Sequence, residues 1–355
     1  MAASMRHILE ARGIDTLPEL AAAREAAELI MTGATGEYVL AGRVGRNAGT
    51  LAGQQAHVTL DVPGALYGAT VALEYDRLAW LRDHTWRGAG LLPAVVSLSM
   101  MMEAAQFLEP GAPVVSVHSF ALREAVILRP RHSQTLTVEA ERMAIDAYPQ
   151  DATIAIQVRI LSSGRSIHSA IVKLGTLPEC ANESEEPASE VTKRLQQPLI
   201  YERFFHGPSF QVLDHVDVAG AEAIGHSVAL AESIGVDLPV AGRCSIMARE
   251  VALQTVGAYF AFERSEAALP ESFERVRIYA APRANERVRA RVKCHNTATG
   301  GMVFEVLLTG AQGRLLEHIE GLSFRRTNIA AAAVTQPSLM PTRDLADAME
   351  LGSTA

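Results

Sequence analysis

A histidine, a glycine and a proline at fixed spacing are the first residues in this sequence that could do chemistry. They are His84, Gly88 and Pro93, within Asp83-His84-Thr85-Trp86-Arg87-Gly88-Ala89-Gly90-Leu91-Leu92-Pro93. An imidazole with an ordinary pKa near ~6.5 is largely neutral at pH 7 and can accept a proton. Gly88 and Gly90 allow close backbone approach, and the N–H groups at the start of the helix opened by Pro93 can hold a polarised carbonyl oxygen. A surface histidine beside a helix start is the plain alternative. Glu250 and Gln254 form a second group, four apart in Ala248-Arg249-Glu250-Val251-Ala252-Leu253-Gln254, so they project from one helical face. A carboxyl and an amide on an apolar helix are costly to bury without partners, which points to a polar pocket. Taken alone, an exposed Glu–Gln stripe on a helix edge explains them better. A third segment is Tyr201-Glu202-Arg203-Phe204-Phe205-His206-Gly207-Pro208-Ser209-Phe210-Gln211. Its Gly-Pro pair sets a turn, and its aromatics suit an apolar channel wall.

These groups need elements to hold them. Ala94 to Leu108 has the length and continuous apolarity of a buried helix, with Pro93 where a first-turn proline is tolerated. Around it lie strand-like runs at 71–75, 115–120, 125–128, 135–141, 154–160 and 168–174, rich in β-branched residues and several in alternation. The pattern recurs downstream: a strand over 224–230, a helix from Ile246 to Phe262, then strands over 276–280, 288–295, 303–308 and 315–324. Sheet, one buried helix, sheet, twice over, predicts an α+β chain of two halves. Each half is one long helix wrapped by an antiparallel sheet, and a doubly wound parallel sheet is excluded. Residues 179–197 are polar, charged and contain proline, which reads as a linker. Upstream, 17–31 reads as a helix, 37–42 as a short strand and 45–53 as a glycine-rich connection. The tail from Thr327 reads as a tether or disordered end.

The 355 residues allow two or three folding units, and 48% hydrophobic with 20% charged residues excludes wholesale disorder. A net charge of −8 argues against a protein whose main task is holding nucleic acid. The richest apolar run, Leu91 to Met102, is too short to cross a bilayer, and the N-terminus lacks a signal-peptide pattern. Cys180, Cys244 and Cys294 are widely spaced, so a reduced cytoplasmic protein without structural zinc is expected. No phosphate-cradling glycine motif and no convincing metal cluster is present, so the expectation is no cofactor.

In this order, the three segments resemble the dehydratase domain of polyketide synthases, a tandem or double hotdog. That family carries H-x-x-x-G-x-x-x-x-P in its first half, matched by His84, Gly88 and Pro93. Its second half carries G-P-x-F-Q, matched by Gly207, Pro208, Phe210 and Gln211. It also has a helix with D-x-x-x-Q, matched at Gln254 but with Glu250 at the acid position. His206 stands where the family often has tyrosine. The resemblance covers roughly 57–326. Met5 to Asp15 more loosely resembles the end of a ketoreductase domain. It implies residues 1–45 as a remnant of that domain, 46–178 and 199–327 as hotdog halves, 179–198 as linker and 328–355 as tether.

The resemblance implies loss of water from a 3-hydroxyacyl thioester on acyl carrier protein, giving the 2,3-alkene. His84 would act as base on the C2 proton and Glu250 as acid to the 3-hydroxyl, with Gln254 orienting it. A backbone N–H near Gly88 would steady the thioester oxygen. Burial should raise the Glu250 pKa so that it keeps its proton. Trp86, Leu92, Phe205 and Phe210 are expected to line the substrate channel, with Gly88, Pro93, His206, Gly207 and Pro208 contacting substrate. The implied partners are carrier protein, other synthase domains and a second copy of the chain, with no nucleic acid and no membrane. Arg283, Arg287, Arg289 and Arg291, or Arg325 and Arg326, are the basic groups that could dock an acidic carrier. A double-bond isomerase, an oxa-Michael cyclase and a degenerate docking domain remain open on the same residues. A thioesterase fits the first motif less well.

Overall fold

The computed structural model describes residues 14–16, 41–44, 56–59, 66–109, 112–143, 154–179, 191–230, 243–264, 266–297 and 301–330. In chain order, its first half contains β1 (Ile14–Thr16), β2 (Ala41–Val44), β3 (Ala56–Thr59), β4 (Leu66–Glu74) and α1 (Ala79–Arg82). Then come β5 (Thr85–Trp86), β6 (Ala89–Leu91), α2 (Ala94–Leu108), β7 (Val114–Leu122), β8 (Ile127–Leu128), β9 (Ser133–Arg142), β10 (Ile154–Ser162) and β11 (Arg165–Leu174). The second half has β12 (Lys193–Gln196), α3 (Gln197–Tyr201), β13 (Leu213–Ala219), β14 (Glu222–Ser227) and α4 (Arg243–Tyr259). It closes with β15 (Glu266–Ile278), β16 (Arg289–Asn296), β17 (Met302–Thr309) and β18 (Leu315–Ala330).

Period-two alternation sets the inner face of the sheet. Ala69, Val71 and Leu73 of β4, Leu136, Val138 and Ala140 of β9, and Ile156, Val158 and Ile160 of β10 are all buried. Thirteen strands form one antiparallel sheet in the order β12-β13-β14-β16-β17-β18-β15-β7-β11-β10-β9-β4-β3. The halves join where β15 pairs with β7, with Phe273 opposite Phe120 and their rings stacked at 4.6 Å. Helix α2 is apolar almost all round, as a helix inside a core must be, and it packs against its own sheet and against α4. One contiguous hydrophobic core spans both halves. The fold is the expected α+β double hotdog. Among the described residues, no helix is long and apolar enough to cross a membrane.

Several boundaries differ from expectation. The linker reading overshoots, because Lys193 to Gln196 is strand β12, paired with β13 at the end of the sheet. Its polar composition is that of an edge strand in which only Leu195 turns inward. Strand β18 continues to Ala330, opposite Glu266, beyond the expected tail boundary. Pro93 caps α2 with extended geometry and lies outside the first turn; its carbonyl accepts from the N–H groups of Val96 and Ser97 at 3.1 Å. The helix expected at 17–31 and the glycine-rich run at 45–53 lie outside the described residues.

Candidate active site

His84 sits between α1 and the hairpin β5–β6, at the junction of the two halves. The hairpin turn is Arg87-Gly88, both at positive φ (51° and 79°), which is why a glycine belongs there. Leu91, on the return strand, donates its N–H to the His84 carbonyl at 2.8 Å. The Leu91 carbonyl in turn accepts from His84 Nδ1–H at 2.6 Å. That bond leaves the lone pair of the neutral ring on Nε2. Burial, and then the nearby charge of His206, lower the His84 pKa to about 4 against the opposing effects of Glu250 and the Leu91 bond. The imidazole is therefore neutral at pH 7, as a base must be.

The turn at 207–209 is tied to the residue before His84. Asp83 accepts from Gly207 N–H on its backbone oxygen at 2.6 Å and from Ser209 N–H on its carboxylate at 3.0 Å, and the Ser209 hydroxyl bonds the same carboxylate oxygen. A Cβ on Gly207 would lie 2.9 Å from Asp83 Cα, so this approach requires glycine. The contact sets His206 and His84 opposite each other in a two-residue antiparallel bridge, their rings edge to face at 5.1 Å.

Glu250 projects from α4 into the same place and is 3% exposed. Its Oε1 lies 3.2 Å from His206 Nε2 and accepts from Gln254 Nε2 at 2.9 Å. Gln254 is itself fully engaged: its Nε2 also donates to the Phe210 carbonyl at 2.7 Å, and its Oε1 accepts from the Tyr201 hydroxyl at 2.7 Å. Tyr201 in turn accepts from Leu213 N–H at 2.8 Å. The carboxyl is held by a chain of bonds that leaves it little freedom. Here one expectation is overturned. Burial alone pushes the Glu250 carboxyl up, but the His206 bond and charge, then the His84 ring and the Gln254 amide, together outweigh it and hold the pKa below the ordinary value.

A mostly apolar cavity of about 130 Å³ opens at this junction. His84, Trp86, Leu92, Phe205, His206, Glu250 and Gln254 lie in its wall. Gly88, Pro93, Gly207, Pro208 and Phe210 do not. Gly88 makes the hairpin turn at positive φ and is not among the residues of the cavity wall. Pro93 caps α2, Gly207-Pro208 docks on Asp83, and Phe210 is wholly buried with its ring 5.1 Å from that of His84. Sequence reasoning missed the positioning parts played by Asp83, Tyr201 and the Leu91 carbonyl. All three belong to the quoted segments, but only their partners in space reveal the role. Ala94, at the start of α2, lies in the wall, as do Arg325 and the exposed Arg326.

Residues 45–159 match the family described as polyketide synthase dehydratase domain, and residues 181–333 match the one described as polyketide synthase dehydratase N-terminal domain. This chain belongs to the polyketide synthase dehydratase family. Solved dehydratases share its fold. One, from a mycocerosic acid synthase-like polyketide synthase, is 17% identical, covers 82% of this chain and 98% of its own, and has a TM-score of 0.58. A trans-AT polyketide synthase dehydratase domain from Brevibacillus brevis is 18% identical, covering 76% and 96% at a TM-score of 0.57. The dehydratase domain of PpsC from Mycobacterium tuberculosis is 19% identical, covering 76% and 96% at 0.56. No curated protein matches the sequence significantly. The dehydratase keeps a histidine from one half and a carboxyl from the other at a single cavity.

Proposed function

We propose that this dehydratase removes water from a 3-hydroxyacyl thioester carried on acyl carrier protein, with His84 as base and the Glu250–His206 pair as acid. The observation that carries it is the joint placement of a neutral imidazole, its lone pair on Nε2, and a buried carboxyl–imidazole pair in one apolar cavity. His84 Nε2 takes the C2 proton, and the electron pair released forms the C2–C3 double bond as the C3–O bond breaks. The departing hydroxide takes the proton held between His206 and Glu250 and leaves as water. The His206 bond holds the Glu250 carboxyl below its ordinary value, so the proton belongs to the pair and the two residues act as one acid. Return of the C2 proton from His84 to the pair restores the starting state. In the first turn of α2 the N–H groups of Val96 and Ser97 bond the Pro93 carbonyl, which leaves those of Ala94, in the cavity wall, and Val95 to suit the developing negative charge on the thioester oxygen.

Related enzymes support these roles: a histidine-to-phenylalanine and an aspartate-to-asparagine mutant of the CurK dehydratase are each inactive. This chain offers the same pair of residue types, with glutamate in place of aspartate. Exposed Arg326, in the cavity wall, puts positive charge where the phosphate of a carrier-borne pantetheine would enter, while neighbouring Arg325 is paired with Glu271 in the same wall. The deciding experiment incubates the chain with a 3-hydroxyacyl-pantetheine and then with the acylated carrier protein, followed by mass spectrometry. Loss of one water, abolished by His84→Phe, is expected. Alkene migration without water loss, or release of free acid, overturns the reading.

A further inference from the structure

His84, His206 and Glu250 carry a second chemistry that proton transfer does not need. One donor atom from each lies within 4.8 Å of the other two. Two imidazoles and one carboxylate are a donor set that borderline divalent ions such as zinc take up readily. A tetrahedral zinc with bonds of ~2.0–2.2 Å holds its ligand atoms ~3.3 Å apart. The His206 Nε2 to Glu250 Oε1 separation is already 3.2 Å. His84 is prepared in the way zinc-binding histidines usually are. Its Nδ1–H is engaged by a backbone carbonyl at 2.6 Å, which fixes the ring and leaves Nε2 free to coordinate. Gln254 does the equivalent for Glu250, donating at 2.9 Å. With aspartate and tyrosine at positions 250 and 206, as in the pattern this chain departs from, the same place would offer one nitrogen instead of two.

We infer that this site binds a zinc-class divalent ion through His84, His206 and Glu250, in direct competition with the acyl thioester. The inference rests on the same three residues as the proposed acid–base reading. An ion coordinated by His84 Nε2 occupies the lone pair that must take the C2 proton, so bound ion and turnover exclude each other. A second group of similar make-up, His215, Asp217 and His226, also has its donor atoms within 4.8 Å of one another. There Arg194 forks onto both Asp217 oxygens at 2.6 and 2.7 Å, so a guanidinium already stands where a cation would sit. That group serves as an internal control.

The test is calorimetric titration of zinc chloride into chelator-stripped protein. One ion per chain is expected, with His206→Phe, His206→Tyr and Glu250→Gln each weakening binding by at least the ~10–100-fold that loss of an outer-shell partner costs. Circular dichroism on each variant confirms that it is folded. His226→Ala should leave zinc binding unchanged. In turnover assays, zinc should raise the apparent KM without lowering kcat, and chelator should reverse the effect. Absence of binding, binding unaltered in both folded His206 variants, loss of binding in His226→Ala, or stimulation of turnover by zinc would each overturn the inference. Because calorimetry needs no turnover, zinc binding through the three residues in a chain that removes no water leaves the inference standing and sinks the proposed activity instead.

Discussion

Glu250 differs from the family's aspartate by one methylene, and its partner His206 replaces a common tyrosine; the two departures fit each other. The longer arm brings the carboxylate to the His206 ring at 3.2 Å while Gln254 still reaches it at 2.9 Å. Substituting Glu250→Gln keeps the shape and removes the group that pairs with His206, and should cut turnover ~10²–10⁴-fold, read as kcat on an acyl-pantetheine. Glu250→Asp should lose less, because the carboxyl remains but retracts from a pocket shaped for the longer side chain. Wild-type turnover in Glu250→Gln would place the acid elsewhere, with His206 alone the first alternative. A second residue, His168, reports on stability. It is 2% exposed, and burial lowers its pKa from 6.5 to about 4 despite its bond to the Glu124 carbonyl. The unfolded chain therefore binds the proton first. The stability His168 contributes is complete above pH 6.5 and is lost as pH falls toward 4. Between pH 7.5 and 5 the wild type should lose about 2 kcal/mol more than His168→Gln, measured by urea unfolding. Equal losses would show that His168 is solvated in solution.

Helix α4 must keep Glu250 aimed at the cavity, and the residue beside it anchors the helix. Arg249 forks onto Glu317 of β18 with bonds of 3.0 and 2.7 Å, both side chains almost wholly buried. Removing one partner strands a buried charge, so Glu317→Gln should destabilise the chain by ~3–5 kcal/mol. Replacing both residues with apolar ones of similar volume should cost much less. Denaturant midpoints for the three proteins decide this; a mild effect of the single substitution would mean that water reaches the pair. At this scale, much of the fold was legible. Ala94–Leu108 is helical over the same residues that its length and predominant apolarity predict, and the strands over 135–141 and 154–160 are present because their alternation matches the pleat. Edge strand β12 was not legible, since a strand that buries one residue in four has the composition of a linker. Strand β15 begins ten residues before its expected start because pairing with β7 and β18 organises it, more than its own propensity does.

On the scale of the whole molecule, the two halves share a sheet seam, a helix contact and one core. Unfolding should therefore be a single cooperative step. Both tryptophans, Trp80 and Trp86, belong to the first half, so their fluorescence reports on it, whereas far-UV circular dichroism reports on both. The two denaturation curves should coincide, and separated midpoints would show that the halves fold independently. The site depends on this union. His84 comes from one half and His206, Glu250 and Gln254 from the other, joined through Asp83 and the 207–209 turn.

By itself the sequence determined the repeated sheet–helix–sheet plan, because periodicity is a local property, and it marked His84, Glu250 and Gln254 through spacings of ten residues or fewer. Only the tertiary structure decided what those residues are to one another. Phe210 and Gly88 read as channel residues from their neighbourhood in the chain, yet one lies beneath the cavity wall and the other makes a turn away from it. The direction of the Glu250 pKa went the same way. Burial in an apolar helix is visible in the sequence and raises a carboxyl. The imidazole that reverses the shift lies 44 residues earlier in the chain and 3.2 Å away in space, and electrostatic energy follows the second distance.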